Sequence, residues 1–479
     1  MKDTAAPIIV LFRKDLRISD NRALGAAAET GRPVIPLFIF DEDSAGARRM
    51  GAASRWWLHH SLAALATSLE KLGGTLVFRA GGTEKIIAET IEASGADAVF
   101  WNRRYAPPDI ATDTALKKRL RADRLEAESF DGFLLHEPSL ITTQSGDFYK
   151  VFTPFHKRLA SDQEPRDPVD APKSLMECKA RLKSEKLDAL KLLPKRPDWS
   201  GGLAERWQPG EDGALGRLET FLEERLHGYA ENRDRPGQDG TSGLSPHLAH
   251  GEITPFQIMA AVRRRRGGDA ETFRKEVAWR EFSYHLLFHR PKLHQESFRP
   301  EFDAFEWLNA PSALKAWQRG RTGYPIVDAG MRELWQTGWM HNRVRMIAAS
   351  FLIKDLLVDW REGEAWFWDT LVDADVANNP ASWQWVAGSG ADAAPYFRIF
   401  NPVLQGEKFD PKGIYVRRYL PELEKLPDRY VHRPWEAPSS ILRESGLELG
   451  KGYPLPIVDH ARARDRAMAA YRATRDGED

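Results

Sequence analysis

Five short apolar runs, at residues 8–12, 34–40, 75–78, 98–101 and 126–130, alternate with stretches of helical period at 22–30, 54–72, 83–93 and 111–122. Strands that alternate with helices join through right-handed crossovers into a parallel sheet covered on both faces. Residues 1–130 are therefore expected to form an α/β domain, a doubly wound parallel sheet of five strands. Ligands of such sheets sit beyond the carboxyl ends of the strands. The first strand runs into Arg13-Lys-Asp-Leu-Arg17 with no Gly-x-Gly-x-x-Gly, so the dinucleotide fingerprint is absent.

Residues 131–204 read as a long connector rich in Lys, Asp and Pro, with an ordered opening at Tyr149-Lys-Val-Phe-Thr-Pro-Phe155. From residue 205 to 479 the pattern is helical throughout. Leu215, Leu218, Phe221, Leu222 and Leu226 share one predicted helical face. Ser245-Pro246 and Thr254-Pro255 each read as an N-cap followed by proline at the first helical position. A chain of 479 residues has room for two such domains.

Composition removes several function classes. Net charge is zero, so any nucleic-acid site must be a local basic patch. One cysteine, Cys178, excludes disulfides and cysteine-based clusters and suits a reducing cytoplasm. The start lacks the apolar run of a signal peptide, and the most apolar helix, 346–358, is short and interrupted by Lys354 and Asp355, so no membrane span is expected. The histidines are read as lacking His-x-x-x-His spacing, and no metal site is expected.

The segment Asp373-Ala-Asp375-Val-Ala-Asn-Asn379-Pro-Ala-Ser-Trp383-Gln-Trp385 has neither helical nor strand periodicity. It crowds carboxylates and amides, which can bind the edge of a hydrogen-bonding ring, beside easily oxidised indoles. A Trp-rich core with a polar turn would look the same. Asp239-Gly-Thr241-Ser242-Gly-Leu-Ser245 precedes a helix and could let backbone approach a phosphate, though a plain capping turn has the same composition. Glu276, Trp279 and Arg280 fall on nearly one side of a helix, where they could read a base or a flavin ring or form an exposed ion pair beside a core indole. In Met340-His-Asn342-Arg343-Val-Arg345-Met346, Asn342, Arg345 and Met346 share a face and Arg343 points elsewhere. Arg345 is expected to pair with Asp373 or Asp375, since a buried arginine needs a partner. The run from Arg263 to Arg266 ends a helix and is read as balancing its C-terminal dipole.

These segments together resemble the photolyase/cryptochrome family, and within it the cyclobutane pyrimidine dimer DNA photolyases. The resemblance runs nearly end to end. It rests on Phe12-Arg-Lys-Asp-Leu-Arg-Ile-Ser-Asp-Asn21, Asp239-Gly-Thr-Ser-Gly-Leu-Ser245, Trp279-Arg-Glu-Phe282 and Thr322-Gly-Tyr-Pro-Ile-Val-Asp328. It continues in Thr337-Gly-Trp-Met-His-Asn-Arg-Val-Arg-Met346, Asp355-Leu-Leu-Val-Asp-Trp-Arg-Glu-Gly363 and Asp392-Ala-Ala-Pro-Tyr-Phe-Arg-Ile-Phe-Asn-Pro402. Ala377-Asn-Asn-Pro-Ala-Ser-Trp-Gln-Trp385 is most similar to the class III bacterial branch.

The resemblance implies an all-α FAD-binding domain. Tyr229, Thr241, Ser242, Gly243, Leu244 and Ser245 would hold the phosphates and adjoining groups. Phe273, Arg280, Asn342, Arg345, Asp373 and Asp375 would surround the rest, with Asn379 at flavin N5. Phe273 stands where related photolyases commonly carry tryptophan. Trp383, Trp360 and Trp307 would form an electron-hopping chain. Damaged DNA is the implied partner, contacted by Arg233, Glu276, Trp279, Asn342, Arg343, Trp385 and Gln405, with Glu276, Asn342, Met346 and Asn379 as catalytic groups. Methenyltetrahydrofolate is the implied antenna, although Asn102-Arg-Arg-Tyr105 departs from the folate-binding Asn-Glu pair and leaves a deazaflavin or an empty site open.

Met346 stands where (6-4) photolyases have histidine, and Asn379 where plant cryptochromes have aspartate. Both, with a chain that ends soon after the helical domain, favour repair over signalling; a monomer is expected. The rival readings are a cryptochrome-type blue-light receptor and a Trp-rich single-strand nucleic-acid binder.

Overall fold

The computed structural model describes residues 5–44, 46, 48–161, 164–393 and 398–476. Residues 394–397 of the Asp392-to-Pro402 motif lie outside that set. The chain divides into two compact units. One comprises residues 1–149, 154–223 and 242–291, the other 150–153, 224–241 and 292–479.

The first unit is built on strands β1 (Ile8–Phe12), β2 (Pro33–Phe40), β3 (Val77–Ala80), β4 (Ala98–Asn102) and β5 (Glu126–Phe130). They pair in parallel in the order β3-β2-β1-β4-β5, joined by helices α1 (Arg22–Glu29), α2 (Ala52–Lys71), α3 (Thr83–Ser94) and α4 (Pro107–Ala122). Ile8, Val10 and Phe12 enter one core while Ile9 and Leu11 enter the other. Both faces of the strand are thus dry, which is why the run is continuously apolar where a half-exposed strand would alternate. The third strand lies two residues later than its apolar run, because Arg79 belongs to it. Its guanidinium is buried and paired with Glu89 at 2.6 Å, so a charged residue sits inside the strand. The connector adds a two-residue strand, β6 (Met176–Glu177), beside Pro33 and Val34.

The Phe12-to-Asn21 motif is a buried polar network that locks the strand-to-helix turn. Arg17 donates to the carbonyls of Gly251 at 2.8 Å and Asp20 at 2.9 Å, and Asp15 accepts from the side-chain amide of Asn102 at 2.7 Å. Asn21 caps α1 by accepting from the Leu24 N–H. Helices Pro255–Val262 and Gly268–His289 complete this unit. Thr254 forms a full capping box with Gln257, as a Thr-Pro start suggests. Ser245 does not cap its helix: Leu244 is the cap and Ser245 is already helical, because the turn enters with αR backbone. The helix Glu211–Thr220 passes into a π-helical turn, Phe221–Arg225, which rotates the expected stripe. Leu218 and Phe221 are buried, whereas Leu215 is exposed.

The second unit is helical, with one main core around Trp317, Val327, Met340, Leu352, Trp360 and Trp383. Asn342–Ser350 continues into a π-helical turn, Phe351–Asp355. Lys354 and Asp355, read as interruptions, are buried there. Burial pushes the Lys354 amine down to about 7, and it donates to the Arg398 carbonyl. Among the described residues no helix is long and apolar enough to cross a membrane.

Candidate functional site

In the first unit, the 22-residue helix Gly268–His289 carries Phe273, Glu276, Trp279 and Arg280. Glu276 and Trp279 are half-buried, while Phe273 and Arg280 are buried. Phe273 packs on Phe221 with ring centroids 4.5 Å apart, preserving an aromatic wall. Arg280 does not form the exposed helix pair that a solvated arginine would make. Its Nη1 donates to the Phe133 carbonyl at 2.8 Å, and its guanidinium lies 4.3 Å over the Phe133 ring. Glu281 lies 3.7 Å away, and burial pushes that carboxyl up to about 7. Arg280 Nη2 is buried with no hydrogen-bond partner. A buried guanidinium N–H left over is costly in a finished core, and an acceptor on a bound group would satisfy it.

The Ser242–Ser245 segment offers a second fitting feature. Gly243 has φ +62°, and a Cβ there would fall 2.7 Å from Arg217 Nη1, so only glycine keeps the backbone bare beside that cation. Ser242 and Gly243 are half-buried, Leu244 is buried and Ser245 is exposed.

In the second unit, Tyr229 is buried with the Arg233 guanidinium 5.7 Å over its ring, and Thr241 is half-buried. Arg345 meets one of its two expected partners: Nη2 lies 2.8 Å from Asp373 Oδ2, and Nε donates to the Met340 carbonyl at 2.7 Å. Asp375 is committed differently. Its Oδ1 accepts from the N–H groups of Ala377 and Asn378 at 2.9 and 2.7 Å, and from the Asn378 side chain. It thereby fixes the start of a helix, Asn378–Ala387, in the segment whose sequence showed no period. The hydrophobic period is missing because the buried face carries polar Asn379 and Gln384 beside Pro380, Trp383 and Val386, while the apolar Trp385 lies on the less buried side.

Asn379 spends its side-chain N–H groups on Glu364, at 2.8 Å to the carboxylate and 3.1 Å to the carbonyl. This leaves the amide oxygen as the unspent acceptor. Glu364 was not singled out by the sequence, since a glutamate inside a charged helix carries no distinguishing signal. Arg343 does not point away from Met346. Its Nη1 lies 3.9 Å from the Met346 sulfur, and its Nη2 bonds Asp234 at 2.7 Å. Asn342 is exposed at the head of the same helix, where His341 accepts from the Arg343 N–H at 3.2 Å. Burial pushes that imidazole down to about 4, so it is neutral and able to accept at pH 7. Trp385 and Gln405 are half-buried.

Trp383 and Trp360 are buried and Trp307 is partly buried. The Trp383 ring packs on Phe367 at 5.0 Å and on Trp317 at 6.2 Å. Gly363, one turn after Trp360, lies against the same indole. A Cβ there would stand 2.6 Å from both Trp383 Cζ3 and Leu352 Cδ2. Gly363→Ala is expected to destabilise the protein by about 1–3 kcal/mol through overpacking, read as a lower thermal midpoint. An unchanged midpoint would mean that the indole is free to yield.

One His-x-x-x-His spacing does exist, contrary to the sequence reading. His285 and His289 have ring centroids 4.8 Å apart. His285 Nε2 already accepts from the Tyr149 N–H at 3.0 Å, and burial lowers its pKa to about 4. Among the described residues no group of three or more His, Cys, Asp or Glu is placed to hold a metal. At the carboxyl ends of β1 and β4, Arg13, Arg104, Asp109 and Asp113 form a closely paired ionic cluster, with Arg13–Asp113 at 2.6 Å and Arg104–Asp113 at 2.8 Å.

A unit built on a parallel sheet, which also carries the orphaned buried guanidinium of Arg280, and a helical unit with carboxylates oriented by Arg345 and by backbone N–H groups are the two parts of this chain. Residues 8–173 match the model of DNA photolyase, and residues 273–473 match the FAD binding domain of DNA photolyase. The chain belongs to the DNA photolyase family. It is 59% identical to a deoxyribodipyrimidine photo-lyase of Agrobacterium fabrum, over 98% of both chains. The crystal structure of a class III photolyase from Agrobacterium tumefaciens superposes with a TM-score of 0.96, at 58% identity and 98% coverage of each chain. Cryptochrome-1 of Arabidopsis thaliana is 39% identical over 95% of this chain and 69% of its own length.

Proposed function

We propose that this protein is a light-driven deoxyribodipyrimidine photo-lyase, which splits cyclobutane pyrimidine dimers in DNA. The observation that carries the reading is 59% identity along 98% of the Agrobacterium photo-lyase. FAD is the cofactor of the matched helical domain. When bound and reduced, FAD supplies the electron that light lends to the lesion and that returns after the ring has opened.

The chain's own residues divide the remaining work. Tyr229, Thr241, Ser242, Gly243, Leu244, Ser245, Phe273, Arg280, Asn342, Arg345, Asp373, Asp375 and Asn379 form the cofactor set. Within it, Arg280 offers its unspent N–H as a donor. Asn379, held by Glu364, offers its amide oxygen as an acceptor. Trp383, Trp360 and Trp307 relay electrons inward. The dimer leaves the duplex stack, as bases do for enzymes that work on them, a behaviour for which photolyases are a known example. Trp279 and Trp385 pack on the extruded pyrimidines, worth about 1–3 kcal/mol per base. Glu276 hydrogen-bonds the dimer and steadies its negative charge while the ring opens, and Asn342 and Met346 shape the pocket. Arg233, Arg343 and Gln405 contact the DNA strand. Methenyltetrahydrofolate is the proposed antenna, with a deazaflavin or an empty site as the alternatives, and an absorption spectrum before and after acid release of the cofactors is the test. The protein acts as a monomer in the cytoplasm, a setting that suits its single free cysteine.

The test is repair of a thymine dimer in an oligonucleotide under blue light. Glu276→Ala is expected to lower the quantum yield at least about tenfold, equal to about 1.4 kcal/mol of lost stabilisation, with FAD still bound. An unchanged yield removes Glu276 from the mechanism. No repair by the FAD-loaded wild-type protein would favour the cryptochrome reading.

A further inference from the structure

Arg263, Arg264, Arg265 and Arg266 follow the last residue of the helix Pro255–Val262. Their expected task, balancing that helix end, is performed by another residue. Arg274 donates to the carbonyls of Val262 at 2.5 Å and Arg265 at 2.7 Å. Arg263 is held by Asp167 at 2.7 Å and Glu164 at 3.5 Å. Glu271 is paired with Lys275 at 2.9 Å. Glu164, Asp167 and Glu271 are therefore already spent, while Arg265 and Arg266 are exposed and have no ion-pair partner among the described residues.

Arg263, Arg265, Arg266 and Arg274, with Pro165, Met259 and the already paired Glu164 and Glu271, line a cavity of about 670 Å³. We propose that this cavity binds an oligophosphate, a small molecule with two or more linked phosphates. Two guanidinium forks without counter-charges match phosphate oxygens in a bidentate way, and two uncompensated cations call for more than one negative group. Arg263 and Arg274 are held in place by their own partners and need little further ordering to bind. The volume is that of a small-molecule pocket and far exceeds one phosphate, and Pro165 and Met259 give an apolar wall to any attached body.

Calorimetric titration of the FAD-loaded protein with inorganic tripolyphosphate tests the assignment. Saturable one-to-one binding is expected, weakened at least tenfold in the double variant Arg265→Ala/Arg266→Ala. Arg462→Ala/Arg464→Ala removes the same charge from exposed positions of the helix His460–Asp476 and should leave binding unchanged. Absence of saturable binding, equal weakening in both double variants, or an effect of the cavity variant on duplex DNA affinity alone would each overturn the proposal.

Discussion

Trp383→Phe is expected to slow light-driven reduction of oxidised FAD by at least about a hundredfold, equivalent to about 2.7 kcal/mol in barrier, while repair by chemically pre-reduced protein stays within about twofold. The replacement keeps an aromatic ring against Phe367 and Trp317, so the core around it survives. What it removes is the easily oxidised indole. The two rates are read on one preparation, by bleaching of flavin absorbance and by oligonucleotide repair. Parallel loss of both would assign Trp383 to packing and take the relay away from it.

Arg345→Ala should have the largest effect on folding and on cofactor retention together. The guanidinium bridges the Met340 carbonyl and Asp373, whose side chain is only 3% exposed. Truncation removes the cationic partner of a buried carboxylate, at a cost of about 3 kcal/mol, the lower end for a buried pair because the arginine is itself 24% exposed. A fall in thermal midpoint and a lower ratio of flavin to protein absorbance in the purified variant are the expected readings. Arg345→Lys keeps the charge without the fork and should fall between. Full flavin content in the alanine variant would show that the pair is structural alone.

Strand 8–12 was legible to the residue, because its apolar run ends where pairing ends, whereas 126–130 has the expected bounds although Glu126, Glu128 and Ser129 interrupt its apolar residues. Arg79 hid the end of β3, since a paired and buried cation looks like a loop residue in sequence. At residues 373–385 the chemistry was legible and the helix was not. Polar Asn379 and Gln384 on the buried face, and Trp385 off it, erase the hydrophobic period on which a helix is recognised. Arg345 and Asp373 could be matched in advance because a buried guanidinium demands a carboxylate. The Arg343–Met346 contact could not, because the flexible arginine side chain turns along its helix towards a sulfur three residues on. Glu364 escaped for a different reason: its partner Asn379 lies fifteen residues away, and nothing local distinguishes it from its charged neighbours.

The short strand β6 has a practical corollary for anyone dissecting the molecule. Its hydrogen bonds to Pro33 and Val34 stitch the stretch around Met176 onto the flank of the parallel sheet. A fragment cut at residue 173, where the matched amino-terminal region stops, would shed that stitch and bare a raw seam of peptide groups. Such a seam invites sticking between copies, so a soluble amino-terminal piece has to carry the segment that lies beyond the family boundary.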